Sequence, residues 1–132
     1  VLTKKTSDMS TENYIDGFVL PIPRSGLEVY KAAAQKIAQV WKDHGALAYH
    51  ECVGDDMSQE GVRMFPETLG AADDEVVIFG WTVFPTKELR AEACAKVPND
   101  PRMSELVEPL VDSDRPIFDA SRMVYGGFRS LV

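Results

Sequence analysis

Glu75-Val76-Val77-Ile78-Phe79-Gly80-Trp81-Thr82-Val83-Phe84-Pro85 decides how the chain is to be read. Side chains alternate across a strand with period two, so Val77, Phe79, Trp81 and Val83 share one face while Val76, Ile78, Thr82 and Phe84 share the other. Both faces are apolar. Such a strand lies inside a sheet, with something packed on each side of it.

Upstream, Tyr14-Ile15-Asp16-Gly17-Phe18-Val19-Leu20 predicts a first strand ended by Pro21 and Pro23. Ser25 and Glu28 then have the spacing of a capping box. Leu27, Tyr30, Ala34, Ile37, Trp41 and His44 recur at spacings of three and four, which predicts an amphipathic helix of about five turns. Gly45 is placed to stop it. Ala46 to Val53 predicts a second strand. Residues 54–74 lose all periodicity, and a loop longer than ~12–15 residues is a functional cover or a mobile hairpin tip.

Downstream, Thr86 caps a second helix with Leu89, Ala93, Cys94 and Val97 inward. Asp100-Pro101 starts a short third one through Met103, Leu106 and Val107. Pro109 to Ala120 reads as irregular, and Arg122 to Leu131 as the last strand. The order strand, helix, strand, strand, helix, strand predicts an α+β fold, the ferredoxin-like split βαβ sandwich, with a four-stranded antiparallel sheet. Its first and third strands are central.

In that fold both helices pack on one face of the sheet. An open face of four apolar strands exceeds the few hundred Å² that monomers expose. Either two copies bring their sheets together as a homodimer, with a cavity enclosed between them, or residues 54–74 and 109–120 fold back over the face. The residues alone do not say which face of the third strand meets the partner.

Residues 13–132 read as one domain, and residues 1–12 as a poorly ordered segment without the apolar stretch of a signal peptide. A net charge of −7 argues against nucleic acid and against anionic membrane surfaces as partners. No apolar run approaches the ~18 residues of a membrane span. Cys52 and Cys94 have no CxxC or Cys/His spacing and are expected to be reduced and buried, which fits a cytoplasmic protein.

Asp16 is the most informative polar residue, since a carboxylate in a central strand needs a partner. Arg122 and Arg129 on the neighbouring last strand are the expected partners; the alternative role is a general base. His44 reads as a helix-capping histidine or a catalytic one. His50 and Cys52 share a strand face but have no third metal ligand, so no metal site is expected. Tyr14, Tyr49, Trp81 and Tyr125 line either a pocket or an apolar interface. Asp16, His50 and Tyr125 are the candidate catalytic residues, and Tyr49, Trp81 and Arg122 the candidate ligand-binding ones. No phosphate loop, nucleophile elbow or zinc motif occurs, and no cofactor is implied.

The stretches Tyr14-Ile15-Asp16-Gly17-Phe18-Val19, Asp74-Glu75-Val76-Val77-Ile78-Phe79-Gly80-Trp81 and Arg122-Met123-Val124-Tyr125-Gly126-Gly127-Phe128 resemble the YbaA-like family, small bacterial proteins of unknown function. The resemblance runs from Tyr14 to Val132 and implies a dimeric α+β barrel, in which two ferredoxin-like sheets face each other. The chain departs from the family wording at Phe65–Gly70 and at Pro116–Ser121. Enzymes of the wider fold group, heme-handling ones included, share an architecture and not an activity. The expected function is therefore binding of a small organic ligand, or cofactor-less catalysis, in a cavity between facing sheets. The alternative is a non-catalytic regulatory or interaction dimer with a filled barrel.

Overall fold

A computed structural model describes residues 13–132, and the expected disorder of residues 1–12 lies outside the described residues. Strands β1 (Tyr14–Pro23), β2 (Ala48–Val53), β3 (Glu75–Phe84) and β4 (Val124–Arg129) form one sheet in the order β2-β3-β1-β4. Each neighbouring pair is antiparallel. Helices α1 (Leu27–Asp43), α2 (Phe65–Leu69), α3 (Lys87–Lys96) and α4 (Pro101–Val111) complete the fold. As expected, β1 and β3 are central.

The strand register settles the question of faces. Asp16, Phe18, Leu20 and Ile22 pair with Thr82, Gly80, Ile78 and Val76. These side chains meet the helices: Phe18, Leu20, Ile22 and Ile78 form a buried core with Tyr30 and Ala33 of α1 and Leu110 of α4. A smaller core gathers Ala46, Phe84 and Ala93 against Trp41, whose ring meets Phe84 edge-on at 6.0 Å. The opposite face carries Ile15, Gly17 and Val19 opposite Val83, Trp81 and Phe79, flanked by Val124 and Phe128 of β4.

Several boundaries differ from the sequence reading. Strand β1 runs through both prolines to Pro23. The Arg24 N–H donates to the Asp74 carbonyl on the β3 side, so the N–H positions of Pro21 and Pro23 fall on the other edge. Strand β4 stops pairing at Val19, so no ladder bond is missing there. The capping box does not form: a 3₁₀ turn at Arg24–Gly26 precedes α1, whose N-cap is Gly26. Thr86 and Asp100 do cap α3 and α4, accepting from Leu89 N and Arg102 N at 3.1 and 3.0 Å. Gly45 ends α1 at a φ of 111°. Leu89 faces solvent rather than the core. Helix α4 continues to Val111 with Pro109 inside it. In the last turn a proline removes a single helical bond, and the buried Leu110 holds the turn against the sheet.

Residues 54–74 contain the unforeseen helix α2, which packs against β1 and β3. Phe65 lies 6.5 Å from the ring of Phe79. This covers one end of the open face, where Pro21 and Val77 are buried. The rest stays open, with Phe79, Phe128 and Val124 exposed to 45%, 59% and 60%.

Gly80 shows how tightly the central strands pack. A Cβ there would sit 2.6 Å from Phe18 Cε2 and 3.0 Å from the His50 carbonyl oxygen. Gly80→Ala is expected to destabilise the fold by about 1–3 kcal/mol, the usual cost of overpacking. Urea denaturation measures it, and an unchanged midpoint contradicts the packing described.

Candidate functional site

A cavity of about 320 Å³ lies between the helix-facing side of the sheet and helices α1 and α4. Phe18, Ile37, Trp41, Met103, Val107 and Phe118 make most of its wall apolar. Its volume is at the lower end of small-molecule sites. Two polar clusters enter it on this same side of the sheet, one carried by β1 and the other by β2.

The first is built on Asp16, which is 4% exposed. Arg90 of α3 donates from Nε to both Asp16 oxygens, at 3.0 and 3.3 Å, and from Nη2 to the Tyr125 hydroxyl at 2.9 Å. The guanidinium carbon lies 5.4 Å from the Tyr14 ring centre and 6.0 Å from that of Tyr125. Gly127, opposite Asp16 on β4, makes this possible: a Cβ there would lie 2.7 Å from the Tyr14 hydroxyl and 3.1 Å from Arg90 Nη2. Desolvation works against the Arg90 cation, but the Tyr125 bond and the Asp16 charge outweigh it and raise its pKa. Burial, then hydrogen bonding to Asp16, pushes the Tyr125 phenol up to about 12. Cys94 Sγ lies 3.9 Å from Asp16 Oδ2. Burial and then the Asp16 charge raise the Cys94 thiol, so it is held as the thiol and not as a nucleophilic thiolate.

The second cluster is built on Glu51 of β2. Tyr30 of α1 donates to its Oε1, and Tyr49 donates to its Oε2 at 2.6 Å. Burial raises the Glu51 pKa, and the two phenol bonds pull it part of the way back. Burial and then the Glu51 charge raise both tyrosines, which keeps them as donors. Tyr49 and Asp16 flank Thr82 from opposite sides, so the clusters stand two strand spacings apart, about 9.5 Å.

Residues 13–117 match the family described as protein of unknown function (DUF1428). The uncharacterized protein YbaA of Escherichia coli K12 is 38% identical over 119 residues, 90% of this chain and 97% of the relative. The chain belongs to the DUF1428 family. Among solved structures, this DUF1428 protein is similar to an uncharacterized NIPSNAP-like domain protein from Burkholderia xenovorans. The TM-score is 0.54 and the identity 13%, covering 92% of this chain and 87% of the other. A NIPSNAP family protein of unknown function from Agrobacterium tumefaciens gives 0.52 at 14% identity, covering 90% and 88%. At such identities the likeness is one of fold.

The DUF1428 chain thus brings together Asp16, Tyr125 and Tyr49 at one cavity, and leaves His50, Trp81 and Arg122 outside it. His50 pairs with Trp81 across β2 and β3, and their rings stack at 5.1 Å on the open face. Arg122 is not the partner of Asp16. It precedes β4 in a 3₁₀ turn and is taken up by Glu75 Oε1 and the Gly70 carbonyl, each at 3.0 Å. Arg129 is opposite Tyr14, two positions from Asp16 along β1. His44 is the C-cap of α1, its backbone N–H donating to the Val40 and Trp41 carbonyls at 3.2 and 3.1 Å, and its ring Nε2 lies 2.9 Å from Asp100 Oδ2 at the start of α4.

Cys52 is exposed on the open face, against the expectation of burial, and both cysteines are free. Among the described residues, no group of three or more His, Cys, Asp or Glu could hold a metal. No helix of the described residues is long and apolar enough to cross a membrane. Arg90, Glu51 and Tyr30 are the site residues missed in the sequence. The signal for Glu51 was its period-two relation to Tyr49, passed over for the metal-ligand types on the alternate face.

Proposed function

We propose that the protein binds a small organic molecule in the cavity between the sheet and helices α1 and α4, and works as a homodimer joined through the opposite sheet face. The observation that carries this is an apolar cavity of about 320 Å³ with two separate polar clusters in its wall. That combination of apolar lining and a few convergent polar groups is the usual form of a ligand site. The cavity thus lies within each subunit, and not between two facing sheets. Asp16, Tyr125 and Tyr49 line that cavity; in this reading the first two serve proton transfer if the ligand is turned over without a cofactor, and Tyr49 orients it.

Residues 13–132 make one ferredoxin-like split βαβ domain in this reading, and two copies build a dimeric α+β barrel. His50 and Trp81 then serve the interface, and Arg122 fastens the 54–74 segment to the sheet. The net charge of −7 and the free cysteines fit a cytoplasmic protein without a nucleic-acid or membrane partner. The continuous run of His50, Trp81, Phe79 and Phe65 rings favours a filled, dry barrel, as in a regulatory or interaction dimer.

A thermal-shift panel of small aromatic and aliphatic molecules tests the cavity. A ligand at a hundredfold excess over its Kd adds about 2.7 kcal/mol of stability. Ala34→Leu, which places a larger side chain in the wall, is expected to abolish the shift. Shifts that survive Ala34→Leu contradict the placement.

A further inference from the structure

We infer that the molecule taken by this cavity is an organic cation, an amine protonated at neutral pH on an apolar or aromatic body. This rests on the reading of the cavity as a ligand site. Two carboxylates line the cavity, and they are not equivalent. Asp16 has its counter-charge in Arg90 at 3.0 Å. Glu51 has two phenol donors, which supply hydrogen bonds and no charge. Among the described residues, no cation lies within ion-pair distance of it. A carboxylate in apolar surroundings is costly until it is paired.

The phenols occupy one site on each Glu51 oxygen and leave the others to accept from a ligand. The rings of Tyr30, Tyr49 and Trp41 line the same cavity and offer the π faces that attract an ammonium group. Burial also holds the Glu51 pKa above the usual range, as befits a carboxylate without a cation. An anion would meet an uncompensated like charge here, and a neutral molecule would leave that charge unpaired.

There is also a way in. A second groove runs between α1 and β2, which is an edge strand, and shares Tyr30, Ala34, Tyr49 and Glu51 with the cavity. Glu51 therefore stands where the outer groove meets the inner cavity. Lys31 lines that groove and is exposed, but makes no ion pair with Glu51.

Titration calorimetry on the full chain at neutral pH, with benzylamine, benzyl alcohol and benzoate, varies charge at nearly constant size. Cyclohexylmethylamine and n-pentylamine are added so that no single shape decides. The expected result is that at least one amine binds tenfold or more tightly than benzyl alcohol, and that benzoate does not bind. Glu51→Gln should bring the amine down to the level of the alcohol. If Glu51→Gln fails to fold, the charge series on the unaltered chain decides alone. Benzyl alcohol or benzoate binding as tightly as the amines overturns the cation inference and leaves the cavity standing as a ligand site. Binding by none of the five at millimolar concentration overturns both.

Discussion

Trp81→Arg is expected to turn a dimer into a monomer. Trp81 stands opposite Gly17 on the open face, between the rings of His50 at 5.1 Å and Phe79 at 5.5 Å. A guanidinium there is accepted by water in the monomer. In a face-to-face dimer it would be buried among apolar groups without a partner, and twofold symmetry would place a second one in the same interface. Each unpaired buried charge costs several kcal/mol, more than a standard interface tolerates. The fold should survive, because the helix-side core contains neither Trp81 nor its stacking partners. Sedimentation equilibrium should show a mass falling from twice 14.6 kDa to 14.6 kDa. An unchanged dimer would move the interface away from this face.

The largest effect on stability is expected at Arg90. Arg90→Met leaves the Asp16 carboxylate, 4% exposed, without its counter-charge and removes the donor to Tyr125. Breaking a buried pair from one side costs about 3–5 kcal/mol. The Arg90 side chain keeps 23% exposure, which places the expected loss near the lower end of that range. Asp16→Asn combined with Arg90→Met should cost clearly less than the sum of the two single changes, since each removes the reason for the other. Chemical denaturation of the four proteins forms the double-mutant cycle. A loss for Arg90→Met within about 0.5 kcal/mol, the size of an ordinary surface change, would show that the pair does not hold Asp16.

The architecture could be read from β3 because two apolar faces leave a strand only a central position. The same property hid the orientation: Val76/Ile78 and Val77/Phe79 are equally apolar, and only the register with Asp16 and Phe18 shows which set meets the helices. Asp16 was legible as a buried carboxylate in need of a partner. Arg90 was not, because nothing local in the sequence reveals that α3 crosses the end of β1 with its arginine over Tyr14 and Gly127. Arg122 was drawn elsewhere by the buried Glu75 carboxylate. Helix α2 escaped notice because five residues are too few to show a helical period, and Gly70 in the left-handed region closes it at once.

The central claim is that the two faces of the sheet do different work, the helix side holding a ligand and the open side a second copy. The chain has two tryptophans, and they report on one face each: Trp41 lines the cavity and Trp81 lies on the open face. The most direct test follows their two indole N–H resonances while benzylamine is added and, separately, while the protein is diluted through dimer dissociation. The account predicts that the amine moves the Trp41 signal and leaves Trp81 in place, and that dilution moves Trp81 and leaves Trp41. An amine that moves Trp81 alone, or a dilution that moves neither, contradicts it.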